Sequence, residues 1–179
     1  MPRVLVGAVV LLLALAGCGG DPKADPSTSP SVPSASPIST TPAPPALPEA
    51  AKANTKAGAI AFVKYYVGLI NHLQRTGDES ALRQASAAAC KSCAAVVAAA
   101  NRIYDSGGHV EGGQWTIDQV TAFKPSPQLW AVRTRGSIAP STVIHGDTSP
   151  KETGSGGDAD AEFFVSFTDR WKVAQWHTG

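Results

Sequence analysis

The chain has no excess of charge of either sign: 15 lysines and arginines stand against 14 aspartates and glutamates, a formal net charge of +1. Nucleic acid is therefore a poor partner, because phosphate binding leaves a basic patch with interleaved aromatics and the basic residues here are scattered. No apolar run reaches the roughly 20 residues that a helix needs to cross a bilayer. Metal-ligand spacing is missing too: His72, His109, His145 and His177 are dispersed, with no H-E-x-x-H pattern, so a surface or loop histidine is the expectation for each and no metal or other cofactor is implied. The glycine pairs at Gly107, Gly112 and Gly156 fit neither G-x-G-x-x-G nor a P-loop and read as turns and caps. Serine-hydrolase chemistry lacks its G-x-S-x-G.

What is present begins at the N-terminus. Arg3 is followed by thirteen uncharged residues, Val4 to Ala16, and then by small residues and a cysteine, the order of a secretory signal. Leu15, Ala16, Gly17 and Cys18 resemble the lipobox of bacterial lipoproteins. That resemblance implies cleavage between Gly17 and Cys18 of a signal peptide spanning 1–17. It also implies a diacylglyceryl and palmitate-type modification of Cys18, and a mature protein held by lipid on the extracytoplasmic face of the cell membrane. Two acyl chains make such an anchor stable where one would be marginal.

Residues 18–49 are expected to be the lipidated cysteine and a disordered tether. Nine prolines between Pro22 and Pro48 sit among serines and threonines, and nothing apolar recurs with a helical or strand period. In polyproline II such a segment reaches at most about 90 Å. Its hydroxyl-rich stretches are also compatible with O-linked sugar.

The folded part is expected at 50–179. From Thr55 to Arg75 the residues Ile60, Val63, Val67 and Ile70 form a helical stripe widened by Phe62, Tyr66, Leu69 and Leu73, while Lys56, Lys64, Asn71 and Gln74 fall largely elsewhere. Gly77 is placed to end this helix, and Asp78 to cap a short second one containing Leu82. A third is expected around Cys93 to Tyr104, closed by Gly107 and Gly108. From His109 onward β-branched and aromatic residues alternate with polar ones: Trp115 and Ile117 toward Phe123, then Trp130, Val132 and Thr134, then Phe163, Val165 and Phe167, then Trp171 and Val173. Turns are expected at Lys124–Gln128 and at Asp169–Arg170, and a mobile loop over Ser149–Asp160. The fold class is thus α+β, with three N-terminal helices on a curved antiparallel sheet of about four strands.

That order, the helix A-F-V-K-Y-Y-V-G-L-I-N at 61–71 and the T-G-D turn at Thr76–Asp78 resemble the cone-like fold of nuclear transport factor 2-like and polyketide-cyclase-like proteins. With the C-x-x-C of Cys90 and Cys93 and the glycines after the third helix, residues 52–177 resemble an uncharacterised domain in lipoproteins of high-GC Gram-positive bacteria. In cyclase-like relatives the cone encloses a pocket with an acid/base pair. The nearest counterparts here are Asp118, on a strand, and His109, beside flexible glycines, although no spacing rule supports either as catalytic.

Two function classes stay open. One is a non-catalytic binding or interaction module whose partner is a small apolar ligand or an envelope protein. The other is a small-pocket enzyme of cyclase or isomerase type. Trp115, Trp130, Trp171 and Trp176 suit either a core or a cavity wall.

Cys90 and Cys93 complete the reading. Lipid on Cys18 leaves an even pair in an oxidising compartment, and the i, i+3 spacing at a helix start suits a disulfide. A redox-active pair is the alternative, disfavoured because Ala81–Ala89 reads as helix rather than as the strand of a thioredoxin-like unit. Haem attachment would need His where Ala94 stands, and zinc would need two more ligands.

Overall fold

A computed structural model describes residues 42–146 and 149–179. The signal sequence, Cys18 and the tether as far as Thr41 lie outside the described residues. Pro42–Pro48 has no regular structure; Pro45 lies against Gly68, where an added Cβ would come within 3.4 Å of its ring. A 3-10 turn follows at Glu49–Lys52.

Helix α1 runs Lys56–Thr76, one residue beyond the span read from its periodicity. The Thr55 hydroxyl accepts from the Gly58 N–H at 3.0 Å, satisfying a first-turn donor. Gly77 ends the helix at φ 74°, the left-handed region where a side chain is strained, and donates its N–H to Leu73. A Cβ there would also meet the Tyr104 ring at 2.7 Å. Helix α2 spans Ser80–Ala85 with Glu79, not the expected Asp78, at its N-cap; the Asp78 carboxylate, one residue earlier, accepts from the Ser80 N–H at 2.9 Å. Hydrogen bonds from Ser80 hold that carboxyl below its usual pKa. Helix α3 spans Lys91–Tyr104, with Cys90 at its N-cap. The Gly108 N–H reaches back to Ile103 and Gly107 adopts φ 80°, so both glycines close the helix as their position suggests.

Eight strands follow among the described residues: β1 His109–Gly112, β2 Trp115–Ser126, β3 Leu129–Ile138, β4 Ser141–Ile144, β5 Glu152–Gly154, β6 Gly157–Asp158, β7 Ala161–Phe167 and β8 Trp171–Thr178. They form two antiparallel sheets, ordered β2-β3-β7-β8 with β6 beside β3, and β1-β4-β5. The pairs β1/β4 and β2/β3 are two halves of one bent hairpin. The bend needs Gly112 and Gly113, both at φ 73°; a Cβ on Gly112 would strike the Pro140 carbonyl. The expectation of about four strands therefore covers the main sheet and misses the second. His109 belongs to β1, opposite Ile144, rather than to a flexible loop. The expected mobile loop Ser149–Asp160 carries β5 and β6, so only part of it is irregular. The β2/β3 turn is tighter than expected, with β2 continuing through Pro125 to Ser126.

Two bulges decide which side chains face inward. Between Ile117 and Gln119 the register slips by one at Asp118, and the alternation changes phase, so that Ala122 is buried and Phe123 is exposed. The strict alternation from Trp115 would have put Phe123 inside. Instead the Arg133 guanidinium covers its ring at 5.0 Å. A second slip, at Ala174 in β8, turns Trp176 to the same face as Trp171 and Val173, where its ring stacks on Phe163 at 5.6 Å. The core so formed joins the buried stripe of α1 (Phe62, Val63, Tyr66, Leu69, Leu73) to Val132, Phe163, Val165 and Val173 of the sheet.

Candidate functional site

At one end of this core, α1, α3, the main sheet and the second sheet leave a cavity of about 330 Å³. Ile70, Leu73 and Gln74 face it from α1, at helical spacing. Val96, Ala100, Ile103 and Tyr104 do the same from α3, where small residues keep the wall thin. Trp115, Ile138 and Trp176 close it from the main sheet, and Val110, Ser141 and Val143 from the strands beyond the bend. The bend at Gly112 and Gly113 thus creates the space, and the bulge in β8 supplies one of its two tryptophans.

The wall is apolar, and its polar atoms are unusual. The indole N–H groups of Trp115, Trp171 and Trp176, the Gln74 Oε1 and both ring nitrogens of His72 are buried without a hydrogen-bond partner among the described residues, and only Trp115, Trp176 and Gln74 of these belong to residues that line the cavity. Buried polar groups are ordinarily paired, and each exception calls for a reason. The backbone around them is tightly held. The Asn71 side chain donates to the Trp115 carbonyl and accepts from the Trp115 N–H, both at 2.8 Å. It stands where a further strand would pair with the edge strand β2. The Ser92 hydroxyl accepts from the Trp176 N–H at 3.1 Å, and the Tyr104 hydroxyl donates to the Gln74 carbonyl. Asn71 and Gln74, read from periodicity as the polar side of α1, are two residues that matter most here; sequence reasoning missed them.

The weak catalytic candidates lie elsewhere. Asp118 is exposed at its bulge, and His109 is exposed with Nε2 at 3.6 Å from Glu111; neither lines the cavity, and they are not brought together. His72 departs from the surface expectation. It is 1% exposed on α1, its nearest charged neighbour being the Asp78 carboxylate at 3.6 Å. His145 and His177 sit beside Glu152 and Glu162. No group of three His, Cys, Asp or Glu among the described residues is placed to hold a metal ion. Of the remaining tryptophans, Trp171 is core and stacks on Phe62, while Trp130 donates to Asn54 near the surface.

Cys90 and Cys93 lie at disulfide distance, with Cα atoms 5.3 Å apart and both residues buried. The approach to them differs from expectation: helix α2 stops at Ala85, and Ser86 forms a parallel bridge to Val173 of β8, where the Ala87 N–H donates to the Val173 carbonyl. The chain therefore enters α3 from a turn at 88–89, closed by the Cys90 N–H donating to the Ala87 carbonyl at 3.0 Å, not from a helix. Buried Tyr66 binds the Ser86 hydroxyl at 2.8 Å, and burial pushes its phenol up to about 12. No helix among the described residues is long and apolar enough to cross a membrane.

A family model described as a family of unknown function (DUF6318) matches residues 36–178. The chain belongs to that family. No curated protein matches it. Among solved structures, the intermembrane space region of the chloroplast protein ARC6 is similar at 8% sequence identity, over 70% of this chain and 97% of that one, with a TM-score of 0.51. The likeness is one of fold alone. An NTF-2-like protein of unknown function from Shewanella oneidensis MR-1 matches at 15% identity over 67% of this chain and 94% of that one, with a TM-score of 0.36, too low to argue from. Membership of DUF6318 accords with the expected uncharacterised domain and assigns it no chemistry.

Proposed function

We propose that this DUF6318 protein is a lipid-anchored extracytoplasmic binding module, and that the cavity between α1, α3 and the two sheets receives a small apolar molecule. The observation that carries the reading is the cavity itself: about 330 Å³, within the range of small-ligand sites, with a largely apolar wall. Its described lining holds no carboxylate, imidazole, ammonium or guanidinium. An enzyme of isomerase type would need two convergent ionisable groups, and neither Asp118 nor His109 is among the lining residues. The cone-like arrangement and the lipoprotein origin belong to the same proposal, the first supported by the bent sheet under three helices and the second by the L-A-G-C motif at 15–18.

Occupancy is tested by titrating the full chain with isopropenylnaphthalene, an uncharged hydrocarbon, and following tryptophan fluorescence. Saturable binding abolished by Ala99→Phe, which fills the α3 wall, is expected; binding indifferent to that substitution would refute the cavity as the site. Anchoring is tested by fractionation, where Cys18→Ser should release the chain from membranes or leave it unprocessed. A processed variant that still sedimented with membranes would refute the anchor.

The Cys90–Cys93 pair belongs to this proposal as a structural bridge. A bridge of the single residue Ser86 to Val173 and a turn at 88–89 precede α3, so the strand of a thioredoxin-like redox unit is not found before the cysteines. Burial raises a further objection: the two cysteines are 2% and 3% exposed, whereas thiol exchange needs an attacking thiolate to reach a sulfur.

A further inference from the structure

Resting on the cavity reading and on the Cys90–Cys93 bridge, we infer that Ser92 and the bridge are positioning groups for the cavity: they hold the bulge of β8, and through it the Trp176 wall that ligand affinity depends on. Strand β8 ends the main sheet, with β7 on one side. Its other edge is met by residues of the segment 86–92. The Ala87 N–H donates to the Val173 carbonyl at 2.9 Å, and the Ser92 hydroxyl accepts from the Trp176 N–H at 3.1 Å. These two bonds stand on either side of Ala174, the extra residue that turns Trp176 to the face of Trp171 and Val173. A bulge disrupts the ladder locally, so contacts from outside the sheet help to decide where it sits. A slip of one residue in β8 would take the Trp176 ring off the cavity wall and away from Phe163, on which it stacks at 5.6 Å.

The bridge in turn fixes Ser92. Only Lys91 and Ser92 lie between the two cysteines, so closing the bridge restrains the backbone of both. A disulfide sulfur carries no proton and can only accept. The Cys90 Sγ lies 3.2 Å from the Cys93 N–H and 3.6 Å from the Ser92 hydroxyl, which therefore directs its proton at sulfur and leaves oxygen lone pairs for the Trp176 N–H. A Cys90 thiol would carry a proton of its own and compete with Trp176 for the same oxygen. The Cys93 Sγ rests 4.0 Å from the Val173 carbonyl, at the other end of the clamp.

The test is a double-mutant cycle on the full, natively exported chain, read as affinity for isopropenylnaphthalene by fluorescence titration. Ser92→Ala should bind about fivefold more weakly, the scale of one net hydrogen bond. Cys90→Ala with Cys93→Ala should weaken binding by a similar factor, and adding Ser92→Ala to that pair should weaken it no further, because both act through one contact. Thr55→Ala, which removes the α1 cap at a residue outside the cavity lining, controls for stability: its Tm should fall and its affinity should not. Wild-type affinity in Ser92→Ala, or losses that add in the triple variant, would overturn the inference and spare the cavity. Two free thiols in the wild type would overturn it at its first step. If the cysteine variant does not fold, Ser92→Ala against Thr55→Ala decides: a loss of affinity confined to Ser92→Ala supports the inference, and equal affinities overturn it. If the wild type does not bind the probe, the cavity reading falls and this inference with it.

Discussion

Asn71 gives the sharpest test of how the site is built. Its amide makes two 2.8 Å hydrogen bonds with the backbone of Trp115, one to the carbonyl and one from the N–H, across 44 residues of sequence. Because Trp115 is only 5% exposed, Asn71→Ala would leave a donor and an acceptor unpaired at a site that water reaches poorly. Each such group costs about 1–3 kcal/mol, so a loss of about 2–4 kcal/mol is expected once partial solvation is allowed for. For a domain of this size that is a fall of roughly 5–12 °C in Tm. Urea and thermal unfolding measure the loss, and near-ultraviolet circular dichroism follows the Trp115 environment. Asn71→Asp separates the two bonds. The carboxylate still accepts from the Trp115 N–H but sets a negative oxygen against the Trp115 carbonyl, so it should destabilise at neutral pH and recover in part at acid pH, where a protonated carboxyl donates again. A Tm for Asn71→Ala within about 1 °C of the wild type would refute the clamp, since that lies far below the cost of two lost buried hydrogen bonds.

Tyr66 predicts a loss of stability in alkali. Its phenol is raised to about 12 by burial, against an ordinary value near 10, so the folded state holds the proton more tightly than the unfolded state does. That contribution is complete below about pH 10 and is lost as pH rises through about 12, for a total of about 3 kcal/mol. Urea midpoints across this range should fall more steeply for the wild type than for Tyr66→Phe, and parallel slopes would refute the assignment. Cys90 and Cys93 should resist alkylation in natively exported protein until it is reduced and unfolded, as mass spectrometry will report. Two alkylated thiols without reduction would refute the bridge.

The helices were legible because each of their signals is local. The α1 stripe and the left-handed position at Gly77 are decided within a few residues of sequence and stand where they were read, while the cap of the second helix falls at Glu79, one residue after Asp78. The second sheet was hidden for the opposite reason. Strands β1 and β4 have four residues each, too few to show a period, and they exist because Gly112 and Gly113 bend a hairpin whose arms are paired along their whole length. Ser86–Cys90 escaped in the same way: its alanines suit a helix, but a bond from Ala87 to Val173, far along the chain, holds its start against β8, and the segment then turns at 88–89.

The site was less legible than the fold, and the bulges explain much of the difference. Alternation in β8 from Trp171 and Val173 places Gln175 inward and Trp176 outward; one extra residue at Ala174 reverses this and brings Trp176 opposite Phe163. In β2 the same device leaves Trp115 inside and moves Phe123 out. Neither bulged strand carries a glycine at its bulge; the one glycine at hand, Gly136, stands opposite Ile117 on the partner strand. On α1 the difficulty is of another kind. Asn71 and Gln74 lie at the margin of an apolar stripe, where periodicity assigns a polar side chain to solvent, and only the arrival of β2 from a distant part of the chain gives Asn71 a backbone to bind. A polar residue at the border of a buried face has two outcomes, water or a partner, and local sequence does not distinguish them. Gln74 shows the second outcome incompletely: its carbonyl accepts from the Tyr104 hydroxyl, while its side-chain Oε1 is buried without a partner among the described residues.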